Sequence, residues 1–594
     1  MTRHDETSAG TSMAGGKGRA GKAPVGVFAA AGLIALVTLA ARVFGFGRWL
    51  VFSQSVGTTC VGSVYQAANQ LPNVIFEVAA GGALAAVVVP IIAGQLARQN
   101  QPEAARTASA MLTWTLAVLV PLSILMAVSA RQLSTFLVDD RTCAGSTSLA
   151  ASMLVVFSPQ IALYGVGIVL AGVLQAHRRF LGVVVAPLLS SLVVMAAYLL
   201  FAALAQGRGY DLSRLPSQAS AVLAVGTTLG VAALSLSLLI PVHRAGIRLR
   251  PTWTFPDGVA RRAAALAGAG LVALVAQQAA VLVTLWVSQN SGGTGTLNVY
   301  IYVQAIYLLP YAVLAVPFAV SALPALATGL DQAVLATGSD QTDQAVLATG
   351  SDQADQAALA TDADQASLAR AQSTLASSAR AIIVATSAGA AVLFAIASPA
   401  GAFFSALDAG RHGAGREALA ALPGALSAFA PGLVGFGMAA LLTRALYVQG
   451  RPAVAGGLVA AGWFIAAIVP LLTLQEDAGP RETLLTLGLA SSFGMTVAAV
   501  GLFVAVRRTW GARAFRGFAR SAVVALGAGA FSAIVGRGLA AVLHPDGLVA
   551  GAVLAVVVAA VVVALFACSI WVGDRDSARL ALAKLPVLGR WRTR

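Results

Sequence analysis

Residues 177–208 read HRRFLGVVVAPLLSSLVVMAAYLLFAALAQGR. A cluster of His177, Arg178 and Arg179 is followed by an uncharged run over 180–205, and the next charge is Arg208. As a helix rising ~1.5 Å per residue, that run crosses a ~30 Å hydrocarbon core with room to spare. Comparable runs recur from about residue 26 to about residue 572. The chain of 594 residues is 58% hydrophobic and only 10% charged. A soluble chain carries roughly 25% charged residues, so this one has too little charge to cover a wet surface of its size. Its 60 glycines, with abundant alanine, suit close helix–helix approach in lipid. The fold class expected is an all-α polytopic membrane protein.

Helical spans are expected at about 26–53, 62–95, 107–129, 148–174, 180–205, 218–242, 260–288 and 297–327, then at 378–406, 420–447, 453–475, 482–506, 518–541 and 547–572. That makes about fourteen. The second is overlong and is expected to tilt or to extend beyond the membrane. Residues 1–25 are rich in Gly, Ala and Ser and read as a disordered tail. The apolar run that follows is too long for a cleavable signal peptide and lacks a small-residue cleavage site. The remaining organisation is an N-lobe of six helices over 26–242, two helices over 260–327, a cytoplasmic loop over 328–377, six helices over 378–572 and a basic tail over 573–594. Within that loop, 331–366 repeats Asp-Gln-Ala-Val-Leu-Ala-Thr-Gly at a spacing of about twelve, from Asp331 and again from Asp343. No solenoid has that period, and the segment reads as a tolerated expansion.

The net charge of +15 does not mark a nucleic-acid binder, because the basic residues are dispersed among short segments between apolar runs. With the N-terminus inside, about 27 of the 38 Lys and Arg fall in inside segments. About eight fall outside: Arg131, Arg141, Arg208, Arg214, Arg411, Arg416, Arg481 and Arg537. The positive-inside rule therefore places both termini on the cytoplasmic side of the membrane. Cys60, Cys143 and Cys568 have no metal spacing. Cys60 and Cys143 both fall in outside loops, which leaves a disulfide open, but spacing alone cannot show proximity and the favoured reading is of unpaired small apolar residues.

No His-Glu-x-x-His, Walker loop or Gly-x-Ser-x-Gly elbow is present, so no enzyme and no cofactor is expected. Polarity inside the spans is what stands out, since such groups usually face a cavity or a partner. Arg42 and Arg48 lie toward the end of the first span. Six residues apart, they sit roughly 120° from each other on a helix and need not share a face. The plainer reading is that one of them snorkels to the interface. In the second span Gln66, Asn69, Asn73 and Glu77 fall within about 80° of one another, a stripe beside Pro72. The alternatives there are interhelical hydrogen bonds, or an ion pair of Glu77 with an arginine of the first span. Further polar groups are Gln160, Gln277, Gln278, Gln304, and Arg444 with Tyr447. Glu77 is the one carboxylate placed within a span, which argues against a proton relay; with no nucleotide motif either, the membrane potential is expected to supply at least part of the driving force.

These residues sit in motifs that resemble a known family. Arg-Val-Phe-Gly-Phe-Gly-Arg (42–48), Ala-Asn-Gln-Leu-Pro-Asn (68–73) and Gly-Gly-Ala-Leu-Ala-Ala-Val-Val-Val-Pro (81–90) resemble the opening of the lipid II flippase family (MurJ/MviN). Ser-Pro-Gln-Ile-Ala-Leu-Tyr-Gly (158–165), Leu-Leu-Pro-Tyr-Ala-Val-Leu-Ala-Val-Pro (308–317) and Thr443-Arg-Ala-Leu-Tyr447 resemble its fourth, eighth and tenth spans. The form is closest to that of actinobacteria, within the multidrug/oligosaccharidyl-lipid/polysaccharide exporter superfamily. The resemblance implies two lobes around a partly cationic central cavity, alternating access, and export of an undecaprenyl-pyrophosphate-linked peptidoglycan precursor. It assigns Arg42 and Arg48 to that cavity. The chain departs from the family at Trp49, where many members have Asp, at Phe76 and Glu77, where many have paired arginines, and at Ala305, where many have arginine. The cavity set is Arg42, Arg48, Gln66, Asn69, Asn73, Glu77, Gln304 and Arg444, with membrane lipids and other cell-wall synthesis proteins as further partners. The alternatives are a transporter of another polyprenyl-linked sugar or of a small drug, and a non-transporting envelope-assembly scaffold.

Overall fold

The computed structural model describes residues 43–141, 143–256, 259–323, 326–327, 351–543, 547–576 and 579. Everything described is helix or short connection, because a chain in hydrocarbon must satisfy its backbone within each segment. The helices are α1 (43–55), α2 (Cys60–Phe76), α3 (Gly82–Ala97), α4 (Gln101–Val128), α5 (Ala130–Leu137), α6 (Ser146–Phe157), α7 (Pro159–Ala176), α8 (Phe180–Ala205), α9 (Ser217–Leu236), α10 (Leu239–Arg244), α11 (Val259–Asn290) and α12 (Thr296–Pro310). They continue as α13 (Ser351–Ala395), α14 (Ala397–Leu407), α15 (Arg416–Phe429), α16 (Gly432–Val448), α17 (Pro452–Thr473), α18 (Gly479–Trp510), α19 (Phe518–Leu543) and α20 (Leu548–Gly573).

Among the described residues eleven helices are long and apolar enough to cross a membrane, or twelve if the bent pair α15 and α16 forms one span. The protein is therefore a multi-pass membrane protein. These twelve coincide with twelve of the fourteen expected spans. The first expected span lies outside the described residues except for α1. The second is not one long helix: α2 passes through a π turn, Glu77–Gly81, into α3. The ninth starts earlier than residue 378, since α13 is helical from Ser351.

Local chemistry accounts for the breaks. Asn100 caps α4 by accepting from the Glu103 N–H, with Pro102 in the first turn, where its missing donor costs nothing. Pro431 separates α15 from α16 with a bend of 47°. Proline cannot donate to the preceding turn. The Ser492 hydroxyl of α18 repairs that break: it donates to the Ala428 carbonyl at 2.6 Å and accepts from the Gly432 N–H at 3.1 Å. Span eight has a π turn too, Tyr311–Ala315, directly after Pro310.

The core is unevenly distributed along the membrane normal. One buried cluster joins helices 43–244 to the later helices, through Phe52, Tyr65 and Phe157 on one side and Tyr302, Phe404 and Phe429 on the other. It lies at the end carrying the turns 56–59, 138–145, 206–216, 291–295 and 408–415. At the opposite end the buried residues form separate clusters. Val88, Ile92, Met111 and Val173 belong to the front half, and Phe318, Leu375, Leu442 and Trp510 to the back half. On that front-half side, the segment after α10 runs back along α4, with the Arg250 and Thr252 N–H groups donating to Ser109 and Thr113 hydroxyls.

Cys60 and Cys143 form a disulfide across a Cα separation of 6.0 Å, which corrects the reading of them as unpaired. The bond ties the first turn of α2 to the loop before α6. An 83-residue sequence separation carries no information about proximity; packing of α2 against α6 brings them together.

Candidate functional site

α2 is the axis of the site. Nearly all of its residues are buried, and it packs against α6 and α7 on one side and α12 on the other. Its polar stripe is buried at Gln66 and half-buried at Asn69, Asn73 and Glu77. Gln66 is 1% exposed, and among the described residues its Nε2 has no hydrogen-bond partner; neither does Oδ1 of Asn69 one turn on. An unsatisfied buried amide costs about 1–3 kcal/mol. Asn73 is half-buried near the end of α2. Glu77 opens the π turn, and its carboxylate lies against the backbone at Gly81, on its own helix. Among the described residues Glu77 forms no ion pair with Arg48, which removes that explanation of the pairing for this arginine.

Arg48, on α1, is half-buried, with its guanidinium carbon 5.2 Å from the centroid of the Trp49 ring. Its Nε is buried and has no partner among the described residues. Its helix meets a hydroxyl-rich patch of the front half, where the Phe52 ring lies 5.7 Å from that of Tyr65 and 5.3 Å from that of Tyr198. There the Tyr65 hydroxyl lies 2.9 Å from that of Tyr198 and 3.0 Å from that of Thr227. Arg42 lies outside the described residues.

The other expected residues are placed separately. Gln160 is tied at one end only: its Nε2 donates to the Thr228 hydroxyl at 3.0 Å, while its buried Oε1 has no partner among the described residues. Gln304 donates to the Tyr300 hydroxyl at 3.1 Å on its own helix. Arg444, on α16, donates to the Ala440 carbonyl one turn back. The first two helices of the front half thus carry Arg48, Gln66 and Asn69, each with a buried polar atom that has no partner among the described residues. Gln304 and Arg444 belong to the back half, and no hydrogen bond joins them to the front set among the described residues.

One buried group went unforeseen. Asp408 is 0% exposed and accepts hydrogen bonds from Ser53, Thr58, Tyr302 and Gly410. It occupies a turn between spans, where a carboxylate ordinarily reads as solvated. Only its neighbours in Asp-Ala-Gly hint that its backbone must approach something closely.

Comparison with known proteins follows the same lines. The family model described as "Lipid II flippase MurJ" matches residues 52–349. A "Probable lipid II flippase MurJ" of Rhizobium meliloti is 27% identical over 285 residues, which is 46% of this chain and 50% of that protein. One of Synechocystis is 26% identical over 231 residues, 38% of this chain and 42% of that protein. The chain thus spans about half the length, or less, of these curated relatives. Among solved structures, "Lipid II flippase MurJ, inward closed conformation" superposes with a TM-score of 0.63, covering 91% of this chain and 98% of that one at 14% identity. An inward-facing multidrug resistance MATE family transporter of the MOP superfamily gives 0.56, over 80% of this chain and 98% of that one, also at 14% identity. At such identities these two speak for the fold alone.

Proposed function

The chain belongs to the lipid II flippase MurJ family, and on that footing we propose that it carries lipid II, the lipid-linked peptidoglycan precursor, across the bacterial cytoplasmic membrane. The observation that carries this reading is the set of unpartnered polar atoms on α1 and α2: Arg48 Nε, Gln66 Nε2 and Asn69 Oδ1. A bilayer protein that keeps polar groups unsatisfied at its centre forgoes stability there, and a polar cargo recovers it. The cargo is an undecaprenyl-pyrophosphate bearing a sugar-peptide head. Its pyrophosphate is matched by a guanidinium, whose planar fork pairs with phosphate oxygens.

The N-lobe of this carrier is 26–242, with both termini on the cytoplasmic side. Arg42, Asn73, Glu77, Gln304 and Arg444 complete the cavity as the two halves move. The membrane potential drives the cycle. Each elementary charge crossing the full field gains about 2.3 kcal/mol per 100 mV, and an anionic head moves outward, toward the positive side.

Complementation tests the function directly. A host depleted of its own lipid II flippase and expressing this chain is expected to grow and to expose lipid II on its outer face. A chain that inserts at normal levels yet leaves the host arrested, with lipid II confined inside, overturns the proposal.

A further inference from the structure

The Asp408 carboxylate joins the two halves of the molecule. Its Oδ2 accepts from the Ser53 hydroxyl at 2.7 Å and from the Tyr302 hydroxyl at 2.8 Å. Its Oδ1 accepts from the Thr58 N–H at 2.8 Å, the Thr58 hydroxyl at 2.8 Å and the Gly410 N–H at 2.7 Å. Ser53 and Thr58 belong to α1 and the turn after it, in the front half, whereas Tyr302, Asp408 and Gly410 belong to the back half. Ser53, Thr58, Tyr302 and Asp408 are all 0% exposed. Among the described residues no basic side chain pairs with Asp408. Five donors alone hold a carboxylate fully out of water.

The surrounding shape fits the same purpose. Thr58 seats in a notch of the back half so tight that a Cβ on Gly410 or Gly415 would strike it. Neither glycine has a positive φ, so close approach, not backbone conformation, demands glycine there. Asn298 donates to the Gly57 carbonyl at 2.6 Å, and the Tyr210 hydroxyl donates to the Ala409 carbonyl. All these contacts sit at the end where one core crosses both halves and which the arginine distribution assigns to the outside.

We propose that Asp408 is the releasable latch of the outer gate: its carboxylate, bonded by Ser53 and Thr58 from across the seam, holds the outer end shut. The inference rests on the transporter reading above. A carboxylate suits a latch that must open and close repeatedly. In the closed state five donors replace its water, and on opening water replaces the donors from the front half, so neither state strands the charge. A purely apolar seam has no such exchange, because its opening exposes surface that water does not reward.

The test uses the full-length protein in lipid nanodiscs, with Cys568→Ser and spin labels on Arg208→Cys and Arg416→Cys. Both positions are exposed and lie on opposite sides of the seam. Pulsed electron paramagnetic resonance then reads the distance between them. The parent is expected to show mainly the short, closed distance. Asp408→Ala removes the shared acceptor, and the ratio of long to short distances is expected to rise roughly tenfold or more, the effect of losing a single hydrogen bond to a charged group. The double variant Ser53→Ala/Tyr302→Phe keeps the carboxylate but strips Oδ2 of its donors, and shifts the distances in the same direction. It decides the matter if Asp408→Ala does not insert. Parent-like distances in well-inserted variants overturn the latch. The readout needs no substrate. Shifted distances with failed complementation would sink the function and keep the latch, and unshifted distances with successful complementation would do the reverse.

Discussion

The front and back halves of this protein use the membrane interior in opposite ways. Around α1 and α2 the front half holds Arg48, Gln66 and Asn69 with buried polar atoms lacking partners, beside the linked hydroxyls of Tyr65, Tyr198 and Thr227. Between α13, α16, α18 and α19 the back half holds a cavity of about 630 Å³ whose walls are apolar side chains such as Phe394, Met438, Leu442, Phe503 and Ile534. The first region is rich in bonding capacity; the second is mainly apolar space, with the unpartnered Ser387 hydroxyl and the Thr496 hydroxyl as the polar side chains of its described lining. An amphiphile with an anionic head and an isoprenoid tail has both needs at once. The cargo proposed above would engage both: the buried polar atoms without partners on α1 and α2, and the apolar space between the back-half helices.

The sharpest way to break this contrast is to remove its charge. Arg48→Ala is expected to lower lipid II export by roughly 10- to 100-fold, the worth of one or two hydrogen bonds to an anion, with the protein still in the membrane. Arg42→Ala follows in the same direction. Export assayed by exposure of the headgroup on reconstituted liposomes checks both, and normal export by the double variant removes the cationic reading.

A smaller effect is expected in the back half. Ala530 lines the apolar cavity and is exposed to it. Ala530→Trp fills that space, and if the isoprenoid tail uses it, export falls about fivefold or more, the consequence of overfilling by ~1 kcal/mol. Unchanged export would assign the cavity to bulk lipid.

Gln66→Leu separates stability from function. Losing an unpartnered amide is expected to stabilise the fold by about 1 kcal/mol, read as a higher melting temperature in detergent, while export drops a few-fold. A variant that loses stability would show that Gln66 is glue between helices and not part of the cavity.

The smallest effect belongs to the repeat. Residues 331–350 lie outside the described residues, and their deletion is expected to leave export within about twofold, since loop length changes closure cost only slowly. A well-inserted but inactive deletion would give the repeat a regulatory task.

Much of this was legible before any coordinates. The run at 180–205 appears as α8, Phe180–Ala205, because an uncharged stretch bounded by arginines has one low-energy answer in a bilayer. The second span shows where that logic stops. Its length was visible, but a π turn at Glu77–Gly81 depends on how the helix settles after Pro72 against its neighbours. The stripe of Gln66 and Asn69 was visible from helical periodicity. Which of its atoms lack partners was not, because that depends on what α6, α7 and α12 present to α2.

Apolar length, flanking charge and the family motifs settled by themselves that this chain is a helical membrane protein of the lipid II flippase family, because those signals are local and additive along the chain. The Cys60–Cys143 bond and the five-donor cradle of Asp408 were decided only by the tertiary structure. Ser53 and Asp408 lie 355 residues apart. A carboxylate in a turn belongs in water unless the fold brings enough donors to replace it, and only packing of the two halves can do that.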